Sequence, residues 1–324
     1  MIKTFLPLFK DDEILNSFLL ESNFNLSFTA KKKFYYSVVR PIFPIKLRQK
    51  LQEKVNSKVK LKENFISTDL IEYLEADLDY NSRVSALYPE SYKAAIVITH
   101  DVEEQEGFDF IPSVIELEEK YGIKSSWNLV PYKYKIDEGI IKLIQENGDE
   151  IGIHGYNHDG KLYYSEKTFN ERAVYINEAL KKYNAIGFRS PQVHRNLEWL
   201  QRLNIKYDAS CFDYDPFQPF PGGTGCIWPF FAGKFLELPY TIPQDHTLFY
   251  VLRKKNIEIW QKKVDWLLEN NGMILSITHP DYLIPKSNFE MYEELLKYLK
   301  TIKNAWFCLP SEITKWYFEQ FSQH

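Results

Sequence analysis

The stretch Ala94-Ala-Ile-Val-Ile-Thr-His-Asp-Val-Glu103 decides the reading of the fold. Ala94 to Thr99 is a continuous apolar run rather than an apolar–polar alternation. Such a run describes a strand buried on both faces. It ends on two acids, Asp101 and Glu103, which an extended chain directs to the same side. A strand covered on both faces needs helices around it, and the chain downstream supplies them. The spacing predicts a helix over 112–121, with Pro112 in its first turn and Gly122 past its end. Strands follow at 125–130, 150–153, 185–188, 205–208, 235–240, 273–278 and 305–309. Helices fall between them at 137–147, 165–183, 196–203, 257–270 and 289–302, and a closing helix begins at Ser311 as N-cap. This alternation implies parallel strands joined by right-handed crossovers. Seven or eight of them close into an α/β barrel, whose active site lies at the C-terminal strand ends.

Those ends carry the chemistry-bearing residues. The first strand leads into Asp101 and Glu103. The third leads into His154-Gly-Tyr-Asn-His158, where two imidazoles four positions apart in one short loop suit a single divalent ion. The fourth leads into Arg189-Ser-Pro191, the fifth ends on Asp208, and the seventh leads into His279-Pro-Asp281. Each taken alone has a plainer reading: helix capping for the acids, a surface ion pair for Arg189, a turn for Asp208, hydrogen bonding for the histidines. Falling in chain order on one predicted edge, they suit a metal with a general base beside it.

Composition narrows the class. The 324 residues suffice for one large α/β domain with an extension, and 44% hydrophobic with 16% aromatic content supports a large core. A net charge of −4 argues against nucleic acid as partner. Three cysteines without a CxxC spacing argue against a disulfide framework and for a reducing compartment. The apolar stretch Met1–Lys10 is short, lacks a cleavage site and is ended by Asp11-Asp12-Glu13, so it does not read as a signal peptide, and no run is long enough to span a membrane. The expected location is cytoplasmic, with contact at the inner membrane face as an extension of that reading. Residues 1–90 stand apart from a barrel over 91–324. Between Lys31 and Lys62 lie eleven basic residues and one acid, Glu53, interleaved with Phe34-Tyr-Tyr36. This is either a solvated helix near 45–60 packed on the barrel, or an arm for anionic headgroups or a phosphate-bearing substrate. The long Pro-, Gly- and Phe-rich stretch over 210–234 reads as a lid or binding loop.

Residues 94–310 resemble the polysaccharide deacetylase family, carbohydrate esterase family 4. The resemblance rests on the five strand-end motifs in order. The first departs from the family's Thr-Phe-Asp-Asp: Val102 follows Asp101, and Glu103 comes next, similar to relatives that space the acids as Asp-x-Asp. The fourth motif lacks its usual Trp, with Phe212 or Tyr214 nearby. The resemblance implies a distorted (β/α)7-type barrel with an N-terminal extension. It implies metal ligands Glu103, His154 and His158, with zinc foremost and cobalt, nickel or manganese as alternatives. It further implies Asp101 as catalytic base, Arg189 orienting it, His279 as general acid and Asp208 as the carboxylate that holds His279. The implied reaction is removal of an N- or O-acetyl group from a sugar or glycan precursor, nucleotide- or lipid-linked. Two other functions stay open: hydrolysis of another amide (imide, ureide or formamide), and a non-catalytic glycan-binding relative.

Overall fold

A computed structural model describes residues 2–42, 56, 59 and 62–322. The helix expected near 45–60 lies outside the described residues. The central strand is β2 (Ala94–Val102), preceded in the chain by the short β1 (Thr4–Phe5). All nine residues of β2 are buried, as the apolar run requires. Around it stand β3 (Ser126–Leu129), β4 (Glu150–Ile153), β5 (Gly187–Phe188), β6 (Tyr207–Asp208), β8 (Phe235–Glu237) and β9 (Ile274–Thr278). Each neighbouring pair from β2 through β3, β4, β5 and β6 to β8 is parallel, and β9 pairs parallel with the other edge of β2. These seven form a distorted barrel with helices packed outside.

The distortion has a local cause. β7 (Phe230–Ala232) runs antiparallel to β8 and occupies its free edge, and β1 adds antiparallel to β7. The chain beyond β8 then changes partners. Tyr240 N donates to Cys211 O at 3.0 Å, and Thr241 N donates to Leu275 O of β9 at 3.2 Å. The Thr241 hydroxyl donates to Met273 O at 2.6 Å and accepts from Leu275 N at 3.0 Å. The ring is therefore closed at this seam partly by a side chain. A last strand, β10 (Ala305–Phe307), pairs with the start of β2.

The helix expected at 289–302 runs Lys286–Lys300 and that at 196–203 is the shorter Leu197–Leu200, and at two further helices the start differs for a visible reason. The first crossover helix runs Gln105–Lys120, so Pro112 lies in its middle rather than its first turn. Its start is set by Asp281, whose carboxylate accepts from Glu104 N at 3.1 Å and Gly107 N at 3.0 Å. A cap that arrives from another strand's loop leaves no local mark. The closing helix starts at Pro310, with Leu309 as its N-cap in place of Ser311 and the Glu312 carboxylate accepting from Leu309 N at 2.7 Å. Ser165 caps Glu166–Lys182 as expected, accepting from Thr168 N at 3.1 Å. The stretch over 210–234 is not all loop, since it ends in β7. Cys211, Cys226 and Cys308 are buried and unpaired. Among the described residues no helix is long and apolar enough to cross a membrane.

Candidate active site

Alternation along β2 separates two environments. Thr99 and Asp101 face Arg189, while His100 points outward onto Trp127, with ring centroids 4.2 Å apart. At the end of β2, Glu103 reaches the loop that follows β4. Its Oε1 lies 2.9 Å from His158 Nε2 and 3.8 Å from His154 Nε2, and ligand atoms of the three residues all fall within 4.8 Å of one another. The loop turns tightly to do this. Gly155 has φ +70°, and a Cβ there would come within 2.3 Å of Pro191. His158 itself has φ +57°.

His154 is oriented for ligation. Its Nδ1 is 3.1 Å from the carbonyl oxygen of Arg189. A carbonyl only accepts, so Nδ1 carries the proton and Nε2 presents its lone pair. That Nε2 is buried and has no hydrogen-bond partner among the described residues. A buried imidazole nitrogen without a partner is costly. Facing one carboxylate and a second imidazole, it fits a divalent cation, and a two-His, one-carboxylate set suits zinc. The charges agree. Burial pushes the Glu103 carboxyl up, but His158 and His154 outweigh it and hold it well below the usual range. Burial pulls His158 down, against the pull of Glu103, so its imidazole is held toward the neutral form that ligates.

Beside this trio, Asp101 is almost fully buried. Its Oδ1 accepts from Arg189 Nη1 at 2.9 Å and from Asn128 Nδ2 at 3.0 Å, and its Oδ2 lies 3.8 Å from His154 Nε2. Burial opposes its ionisation, yet the Arg189 guanidinium, with His154 and His279, holds its pKa at about 2. Arg189 is fully buried and fixed at three points, donating also to Ala209 O and Thr99 Oγ1, each at 2.8 Å. On the far side stands His279, whose Nε2 is 3.7 Å from Glu103 Oε1.

The partner of His279 is Asp245, not Asp208. His279 Nδ1 lies 2.6 Å from Asp245 Oδ1, and His279 N donates to Asp245 Oδ2 at 2.7 Å. Burial pulls His279 down, but the Asp245 charge and hydrogen bond raise its pKa to about 10. Asp208 instead accepts from Ser210 Oγ at 2.8 Å and Ser210 N at 3.2 Å. Burial raises its pKa, and that of Glu237 beside it well above the carboxylate range. Glu237 in turn accepts from Cys211 N at 2.8 Å, so neither acid reaches His279 by a hydrogen bond among the described residues. Asp245, which follows β8, was missed although the same rule about strand ends reaches it. Asn128 was missed as well, and Asp281, named at the end of the seventh strand, had no role assigned. Asp281 accepts from Glu103 N at 3.2 Å, so one carboxylate caps the Gln105–Lys120 helix and anchors the backbone of a candidate ligand.

No family model matches the chain, and no curated protein does. Solved structures do. A Mycobacterium smegmatis protein described as a polysaccharide deacetylase is 18% identical, with a TM-score of 0.59 over 72% of this chain and 93% of that one. Puue allantoinase is 15% identical, with a TM-score of 0.58 over the same shares. A Pseudomonas aeruginosa PAO1 protein described as a polysaccharide deacetylase is 14% identical at 0.58, again over 72% and 93%. At such identities the likeness is one of fold, and the fold is that of the polysaccharide deacetylases.

Proposed function

We propose that this chain is a metal-dependent hydrolase that removes an N-acetyl group from a sugar or glycan precursor, cleaving a carbon–nitrogen bond other than a peptide bond, or else an O-acetyl group, cleaving an ester. The observation that carries the reading is the buried, unpartnered His154 Nε2, turned toward Glu103 and His158 beside the Asp101–Arg189 pair. Glu103, His154 and His158 would hold the cation, zinc foremost. When bound, a divalent cation supplies Lewis acidity toward the acyl carbonyl and makes a water molecule more acidic. The chain's own residues supply the rest. Asp101, ionised and aimed by Arg189, accepts the proton of the attacking water. His279, held protonated by Asp245, donates a proton to the departing nitrogen. An amine leaves an amide poorly without that proton, so His279 matters more for an amide than for an ester. Asp208 is given no catalytic part.

In this reading residues 91–324 form the catalytic barrel and residues 1–90 an extension, the substrate is a nucleotide- or lipid-linked precursor, and unpaired cysteines suit the cytoplasm. A second reading, hydrolysis of a ureide or other amide, draws on the equal fold likeness to an allantoinase. Elemental analysis with acetate release from a panel of acetylated sugars, run beside hydantoin-like rings and ureides, tests both. Stoichiometric metal and acetate release are expected. Turnover of ureides alone would favour the second reading, and a chain that takes up no metal would end both.

A further inference from the structure

The segment Ala30–Ile42 forms a run of helical turns that faces two ways. Its inner face is tied to the rim of the candidate site. Tyr36 is buried, and its hydroxyl lies 3.0 Å from His194 Nε2. Its ring and the Arg40 guanidinium press on Gly160, where a Cβ would come within 2.3 Å of either. Gly160 is two residues past His158, and Gln192, two residues before His194, lies 3.1 Å from His158 Nε2. The outer face is apolar and exposed: Phe34 at 60%, Val38 at 41% and Ile42 at 70%, four residues apart, with Tyr35 at 39% beside them. The same segment carries Lys31, Lys32, Lys33 and Arg40 and no acid, in a chain whose net charge is −4.

The segment buries Tyr36 against Phe28 and His194, yet still offers a second, apolar stripe to solvent, where an ordinary surface helix is polar. Four side chains are far fewer than the roughly 20–30 residues a side of a standard protein interface. They suit shallow insertion among acyl chains, and the exposed Lys31, with Lys32 and Lys33 half-buried over the Phe220 and Tyr164 rings and no acid in the segment, complements anionic headgroups. We infer that Ala30–Ile42 docks the protein on an anionic lipid bilayer and holds the rim of the Glu103–His154–His158 site against that surface. Docking stands without the hydrolase reading. Its use, bringing the site to a substrate carried on a lipid anchor, rests on that reading.

The test is co-sedimentation of the full chain with phosphatidylcholine vesicles and with phosphatidylcholine–phosphatidylglycerol vesicles. The protein is expected to pellet with the anionic vesicles only, and less so as salt rises. Phe34→Ser with Ile42→Ser should weaken binding roughly tenfold or more, since each residue withdraws a buried apolar side chain. Lys31→Ala should weaken it about fivefold. The double variant should hydrolyse a water-soluble substrate at the parent rate. A parent protein left in the supernatant with anionic vesicles would overturn the inference, as would a double variant that pellets equally. So would a lipid-free dimer that the double variant converts to monomer, which would assign the stripe to a second copy of this chain. Anionic binding without turnover of any substrate would sustain docking and count against the hydrolase reading alone.

Discussion

Two buried histidines, one on β2 and one just past β4 with β3 between them, behave in opposite ways. His100, on the outer side of β2, has both ring nitrogens engaged: Nε2 lies 2.8 Å from Glu118 Oε1 and Nδ1 lies 2.7 Å from Thr278 Oγ1. Glu118 also accepts from Ser125 Oγ at 2.7 Å and from the Tyr292 hydroxyl. This network ties β2 to two outer helices, Gln105–Lys120 and Lys286–Lys300, and to the start of β3. His154, on the mouth side, has one nitrogen fixed and the other without a partner. Burial and residue type are the same in both. What marks His154, and not His100, as a candidate ligand is its unsatisfied second nitrogen.

Substitutions break or sharpen this contrast. The largest effect is expected at the mouth. Asp101→Asn should lower acetate release by about 10³–10⁴-fold while metal content, read by elemental analysis, stays near that of the parent. Retained turnover would remove Asp101 as base. Asp245→Asn should cost about 10²-fold at neutral pH and move the alkaline limb of kcat/KM downward. The sign follows from His279, whose pKa is raised to about 10 in the fold. Stabilisation by the Asp245–His279 pair is complete below the ordinary imidazole pKa and fades as pH rises through about 10. An unmoved alkaline limb would separate the pair from catalysis. The smallest effect on turnover is expected from Glu118→Gln, which sets an amide donor among donors on the outer network. It should cost about 1–3 kcal/mol of stability, read as a lower Tm, with kcat/KM per folded molecule unchanged. A loss of turnover with no change in Tm would dissolve the contrast.

Much of this was legible in the chain. Strands covered on both faces leave apolar runs, so β2, β4 and β9 and their rim residues could be read directly. Glu103, His154 and His158 were readable because two of the three lie within one short loop. The partner of His279 was not, because it depends on which strand closes the ring beside β9. Asp208 ends β6 and Asp245 follows β8, and only the partner change beyond β8 decides between them. β1 and β7, with two and three residues, are too short to show a period. The Pro112 signal misled because a cap from Asp281, far along the chain, outweighs the local preference of proline for a first turn.

The hydroxyl of Thr241 has a consequence for how the barrel would come apart. A ladder of main-chain bonds resists opening along its length, whereas a junction that leans on one side chain is a natural place for fraying to begin. Asp245 lies four residues past that junction, and His279 follows the strand on its other side. Parting there would disconnect His279 from Asp245 and leave Glu103, His154 and His158 in place at the ends of β2 and β4. Under the proposed function, partial unfolding would therefore silence protonation of the leaving group before it released a bound cation.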